Sequence, residues 1–75
     1  MDIQEFIQNF ADELDETSVE ELSPETDFKT LKEWGSLTAL SISAMIDEVY
    51  SKDITGADLR NCTTLQDLFN IVKNK

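Results

Sequence analysis

The run from Ser36 to Tyr50 contains neither proline nor glycine and is rich in apolar residues, which predicts a continuous helix, and the two faces of that helix limit what it can join. At about 100° per residue, Ala39, Ile42, Ile46, Val49 and Tyr50 fall on one arc, while Leu37, Leu40 and Ala44 fall nearly opposite. A chain of 75 residues supports one small core, because a domain of this size buries only about 60% of the surface its unfolded state exposes. One arc can face that core. The other, edged by Ser41, Asp47 and Glu48, is expected to stay exposed, and an exposed apolar strip with polar edges marks a contact surface.

The rest of the chain supplies partners for the first arc. Ile3, Phe6, Ile7, Phe10 and Leu14 recur at spacings of three and four, the stripe of an amphipathic helix, with Asp2 and Glu5 as its capping acids. From Asp15 to Gly35 that pattern dissolves into Glu, Thr and Ser around the one proline, Pro24, which predicts a long loop with a short turn at Ser23-Pro24-Glu25. A loop of that length has to be pinned to the body, and Val19, Leu22, Phe28, Leu31 and Trp34 are the residues able to do so. Thr55-Gly56-Ala57-Asp58 has the form of a capping box and predicts a short helix to about Asn61. Thr63, three residues ahead of Gln66, predicts the cap of a last helix whose face is Leu65, Leu68, Phe69, Ile71 and Val72, with Lys73 and Lys75 at its negative end. The expected fold is an all-α bundle of three main helices and a short third helix, with residues 1–75 forming a single domain.

Charge narrows the function classes. Sixteen acidic residues stand against six basic ones, with no histidine and a net charge of −10. Such a chain is repelled by phosphate backbones and anionic membranes, so nucleic acid is not an expected partner and basic protein surfaces are. The same charge favours a monomer. The start, Met1-Asp2-Ile3-Gln4-Glu5, lacks the features of a signal peptide and no segment is apolar enough to span a bilayer, which predicts a cytoplasmic protein without membrane insertion. Cys62 has no cysteine to pair with and is expected to be a small buried hydrophobe beside Ile54 and Leu59. Asp53 to Asp58 lacks the alternating oxygens and closing glutamate of a calcium loop, and no glycine-rich phosphate loop is present. The chain is not expected to be an enzyme and no metal site is expected.

Ser36 follows a glycine at the start of a helix, a position where serine ordinarily serves as an N-cap. Its setting says more. The run Leu31-Lys32-Glu33-Trp34-Gly35-Ser36-Leu37, the acidic loop with Ser23-Pro24-Glu25-Thr26-Asp27-Phe28, and the closing Thr63-Thr64-Leu65-Gln66-Asp67-Leu68 helix resemble the acyl carrier protein family over nearly the whole chain. The resemblance implies an acyl-carrier-like four-helix bundle. It also implies that Ser36, flanked by Gly35 and Leu37, receives 4′-phosphopantetheine from coenzyme A and that acyl groups ride on the arm as thioesters, for fatty-acid or specialised (polyketide or aminoacyl type) biosynthesis.

By the same resemblance, the partners would be a phosphopantetheinyl transferase and acyl-processing enzymes with basic docking patches, reading Leu37, Leu40, Ser41, Ala44, Asp47 and Glu48. Ile54, Leu59 and Cys62 would lie where such carriers open to shelter an acyl chain. The residue before the serine is usually aspartate in the family and is Gly35 here, with glycine easing the turn into the helix as its structural role. That departure leaves open an unmodified carrier-like interaction module in which Ser36 is only a cap.

Overall fold

The computed structural model describes residues 2–75, so Met1, with which the reading of the N-terminus begins, lies outside it. The helices are α1 (Ile3–Asp12), α2 (Ser36–Tyr50), α3 (Gly56–Arg60) and α4 (Leu65–Lys73), with single 3-10 turns at Val19–Glu21 and Phe28–Thr30. This is the expected acyl-carrier-like bundle of three main helices and a short third one. None of the described helices is long and apolar enough to cross a membrane.

α1 starts where Asp2 accepts a hydrogen bond from the Gln4 N–H at 3.1 Å, and it buries Phe6, Ile7, Phe10 and Ala11. α2 has the predicted bounds. It ends on Ser51, whose left-handed backbone (φ 58°) lets its N–H reach the Asp47 carbonyl at 2.9 Å. Of its expected core arc, Ile42 and Ile46 are fully buried, but Val49 is 50% exposed and Met45, assigned to neither arc, is buried. The correction has a packing reason. α1 meets that end of α2 through Tyr50, whose ring lies 5.8 Å from Phe6 and whose hydroxyl accepts from Asn9 Nδ2 at 2.9 Å.

The long loop lies against the body. Leu22 and Phe28 are buried, Val19, Leu31 and Trp34 are partly buried, and the Thr26 N–H closes the expected turn on the Ser23 carbonyl at 3.1 Å. Within it, Ser18 and Glu21 cap the first 3-10 turn, and Asp27 accepts from the Lys29 N–H at the second. Phe28 sits edge-on to Phe10 (5.6 Å) and to Trp34 (5.1 Å), while Trp34 stacks parallel to Phe10 at 6.4 Å. Loop carbonyls also satisfy the first N–H groups of α4: Leu65 N–H donates to Thr26 O at 3.1 Å and Gln66 N–H to Pro24 O at 2.9 Å.

The predicted cap of α4 is off by one residue. Thr64, not Thr63, is the N-cap, and its partner is Asp67 rather than Gln66: the Asp67 N–H donates to Thr64 Oγ1 at 3.2 Å, and the Asp67 carboxylate accepts from the N–H groups of Thr63 (3.0 Å) and Thr64 (3.1 Å). The box at Thr55 and Asp58 is as expected, and Asp58 also pairs with Lys75 at 2.9 Å.

Hydrogen bonds from the Thr64 and Thr63 N–H groups hold the Asp67 carboxyl below its ordinary range, and the Thr55 N–H together with Lys75 does the same for Asp58. Because the folded values are depressed, the stability these groups contribute is present in full above their unfolded pKa near 4 and is lost as pH falls through the lower folded values. Asp67→Asn is therefore expected to lower the melting temperature at pH 7 and to shrink the further drop between pH 5 and pH 3. Melting curves at the three pH values check this, and an undiminished acid drop would contradict it.

Candidate functional site

The approach to α2 is tied down ahead of Ser36. Glu33 accepts from the Asp15 N–H (2.8 Å), the Glu16 N–H (2.9 Å) and the Thr17 hydroxyl (2.8 Å), joining the segment before α2 to the chain leaving α1. Partial desolvation pushes the Glu33 carboxyl up, but hydrogen bonds from Thr17, Asp15 and Glu16 outweigh it and hold the group below its ordinary range. The Glu33 carbonyl in turn accepts from the Thr38 hydroxyl at 2.7 Å, in the first turn of α2. The Trp34 N–H donates to Leu31 O at 3.0 Å, and its ring stacks on the core. Between these anchors Ser36 itself is exposed.

Ser36 is not the cap. Gly35 holds the N-cap position, without a side-chain hydrogen bond, and the first α2 contact across it runs from the Ala39 N–H to Gly35 O at 2.9 Å. The N–H groups of Ser36, Leu37 and Thr38 therefore lack the side-chain acceptor that a serine or aspartate cap would bring, at the positive end of a long helix. The expectation that glycine eases this turn is also corrected. Gly35 is fully extended (φ −176°, ψ −173°), a backbone open to any residue, and a Cβ built there meets nothing within 4 Å.

The other expected site residues divide cleanly. Leu37 is 81% exposed and Leu40 67%, and Ser41, Ala44, Asp47 and Glu48 are exposed beside them, so the second apolar strip of α2 does face solvent. Ile54, Leu59 and Cys62 are buried together next to α3. Burial, with the nearby Asp67 charge, pushes the Cys62 thiol up, and its Sγ donates to Asp58 O at 3.1 Å, which describes a packed thiol rather than a nucleophile.

An open groove runs from Ser36 between the start of α2 and α3. Its walls are Trp34, Ala39 and Leu59, with Lys29 and Arg60 at the polar side. The sequence reading missed both cations, because Lys29 reaches the carbonyls of Leu59 (3.2 Å) and Arg60 (3.3 Å) across a separation of 31 residues at the latter, and no local pattern encodes such a pairing.

This start of α2 fits a covalently attached anion. The serine hydroxyl is exposed, the cap residue adds no bulk, the first-turn N–H groups are free of a side-chain cap, and the groove opens beside them. Neither a curated protein nor a solved structure matches the chain. The family described as "Phosphopantetheine attachment site" matches it over residues 4–72, nearly the full length. Members of that family hold 4′-phosphopantetheine covalently and work with the enzymes that attach the arm and process its cargo. The chain thus belongs to the phosphopantetheine attachment site family and is a carrier protein of the acyl carrier kind.

Proposed function

We propose that Ser36 is the attachment residue and that the chain carries acyl intermediates of fatty-acid or specialised biosynthesis as thioesters. The observation that carries this reading is an exposed serine hydroxyl, not engaged in capping, in the first turn of α2. Nearby hydroxyls are less suited: Thr38 is committed to the Glu33 carbonyl, and Ser41 and Ser43 lie within the helix, beyond its free N–H groups. In the loading step Ser36 Oγ forms a bond to the phosphorus of the pantetheine phosphate in coenzyme A. The pyrophosphate P–O bond breaks, adenosine bisphosphate leaves, and the serine proton passes to a base on the transferase.

Once bound, the arm supplies a terminal thiol that holds acyl groups as thioesters. The protein supplies the rest: the first-turn N–H groups of α2 would hold the phosphodiester, the clasped loop would fix the attachment point, and the exposed strip of α2 would be read by partners. Intact mass after incubation with coenzyme A, magnesium and a broad-specificity phosphopantetheinyl transferase, followed by fragmentation, tests the assignment. One arm located on Ser36 is expected. No gain, or an arm on another hydroxyl, would overturn it.

Leu37, Leu40 and Ala44 with Asp47 and Glu48 form the proposed docking face. Acidic residues on its edge steer association with basic enzymes more than they hold the final complex. Glu48→Lys is expected to slow association with the transferase by roughly three- to tenfold at low salt and much less at high salt, where exposed charges are screened. Stopped-flow association rates at two ionic strengths check this; equal on-rates would remove Glu48 from the docking face.

A further inference from the structure

Ser36 leaves the loop through a residue that does little to steer it. Gly35 has no side chain to cap α2, and the first turn carries no acidic residue, although the positive end of a helix favours one. Glycine also confines the backbone less than any other residue. The direction in which Ser36 enters the helix is therefore set by contacts other than a cap.

Two hydrogen bonds tie α2 back to the segment before it. One is the ordinary first helical contact, from the Ala39 N–H to the Gly35 carbonyl at 2.9 Å. The other runs from the Thr38 hydroxyl to the Glu33 carbonyl at 2.7 Å and closes a ring around Trp34, Gly35, Ser36 and Leu37. An ionised acid at this position would gain from the helix dipole, but it has no proton to give a carbonyl, whereas a hydroxyl has one. Thr38 thus serves the approach to the helix rather than its dipole. Glu33 continues the connection on the other side. Its carboxylate takes the Asp15 N–H (2.8 Å), the Glu16 N–H (2.9 Å) and the Thr17 hydroxyl (2.8 Å), and no cation pairs with it among the described residues. The exit of α1 is linked to the start of α2 by two steps in series, carboxylate to loop and carbonyl to Thr38, both through Glu33.

From this geometry we infer that Glu33 and Thr38 are positioning residues for the loading of Ser36, holding its hydroxyl at the angle from which it attacks the pantetheine phosphate in line. In that step Ser36 Oγ bonds to phosphorus, the pyrophosphate P–O bond breaks, adenosine bisphosphate leaves, and the serine proton passes to a base on the transferase. Glu33 and Thr38 act through Ser36 and not on the reacting atoms. Phosphoryl transfer needs the attacking and leaving oxygens roughly in line, so a small error in placement costs rate rather than binding. The inference rests on the carrier reading with Ser36 as the attachment residue.

The experiment measures single-turnover loading of the full chain, with coenzyme A and magnesium saturating and a broad-specificity phosphopantetheinyl transferase in increasing excess. The limiting rate then reports the transfer step, and the half-saturating transferase concentration reports docking. All variants are compared well below their melting temperatures. Thr38→Val, which keeps the shape of the side chain and removes the hydroxyl, is expected to lower the limiting rate roughly tenfold while the half-saturating concentration stays within about twofold. Thr38→Ser should restore the rate. Glu33→Ala should lower it by a similar factor, and the double variant by no more than either single change, because a linkage in series is already open once one step is broken. Unlike the effect of Glu48→Lys, these factors should not change with ionic strength, since the clasp contains no ion pair.

An unchanged limiting rate for Thr38→Val would overturn the inference. So would a loss confined to the half-saturating concentration, which would make Thr38 a docking contact, or a loss that Thr38→Ser fails to restore. Single effects that multiply in the double variant would also overturn it, reducing the two residues to independent supports of the loop. A parent chain that accepts no arm, or accepts it away from Ser36, sinks the carrier reading and this inference with it, and mass and fragmentation of the parent separate that failure from the others.

Discussion

Ser36→Ala is expected to abolish the phosphopantetheine mass gain completely while leaving the melting temperature within about 2 °C of the parent. The two halves of that result have separate causes. Loss of loading follows from the chemistry, because only the hydroxyl oxygen can form the phosphodiester. Retention of stability follows from the geometry: Ser36 is exposed, Gly35 holds the cap, and α2 begins without a side-chain cap hydrogen bond. Removing a capping serine would cost about 1 kcal/mol, whereas an exposed first-turn residue outside that role costs a few tenths. Gly35→Asp gives the complementary test. The extended backbone and the open space around a Cβ at that position accept the change, and an aspartate there would cap α2 and favour its positive end. Faster loading together with a slightly higher melting temperature is expected. If Ser36→Ala still gains the mass of one arm, Ser36 is not the attachment residue; if only Gly35→Asp can be loaded, the chain keeps the carrier fold but Gly35 has silenced it.

What the sequence made legible and what it hid divide along a physical line. The bounds of α2 follow from uninterrupted helix formers, and the exposed Leu37 and Leu40 follow from the plain fact that one helix in a small bundle has only one inner face. The failures lie where tertiary contacts choose between near-equal local options. Thr63 and Thr64 each offer a cap with an acceptor three residues on, and the register is settled by Asp67 collecting both N–H groups while the loop carbonyls of Pro24 and Thr26 take the next two. Val49, expected in the core, is exposed and Met45, placed on neither arc, is buried instead, because α1 reaches the end of α2 through Tyr50. At the site, the position of Ser36 was readable. That it leaves capping to a glycine, and that Lys29 and Arg60 border the groove beside it, depends on backbone conformation and on contacts between segments far apart in the chain.

Phe28→Ala is expected to destabilise the protein by about 3–5 kcal/mol, the range for deleting a buried aromatic ring. For 75 residues the whole folding free energy is about 4–11 kcal/mol, so the variant is expected to be largely unfolded at 37 °C or to melt far below the parent. The size of the effect comes from what Phe28 joins. Its ring is fully buried and packs edge-on to Phe10 of α1 and to Trp34 just before α2, and each such aromatic pair adds roughly 0.5–1.5 kcal/mol beyond the area it buries. It is also the most buried apolar anchor of the long loop, so its loss releases the segment that presents Ser36 as well as opening a cavity. Leu40→Ala truncates an apolar side chain on a residue 67% exposed and should change stability by less than about 0.5 kcal/mol. Denaturant titrations followed by Trp34 fluorescence measure both. A cost below about 1 kcal/mol for Phe28→Ala would mean that the loop is held by its hydrogen bonds to α4 and through Glu33 rather than by this ring, so that the polar clasp would be what positions the segment before Ser36.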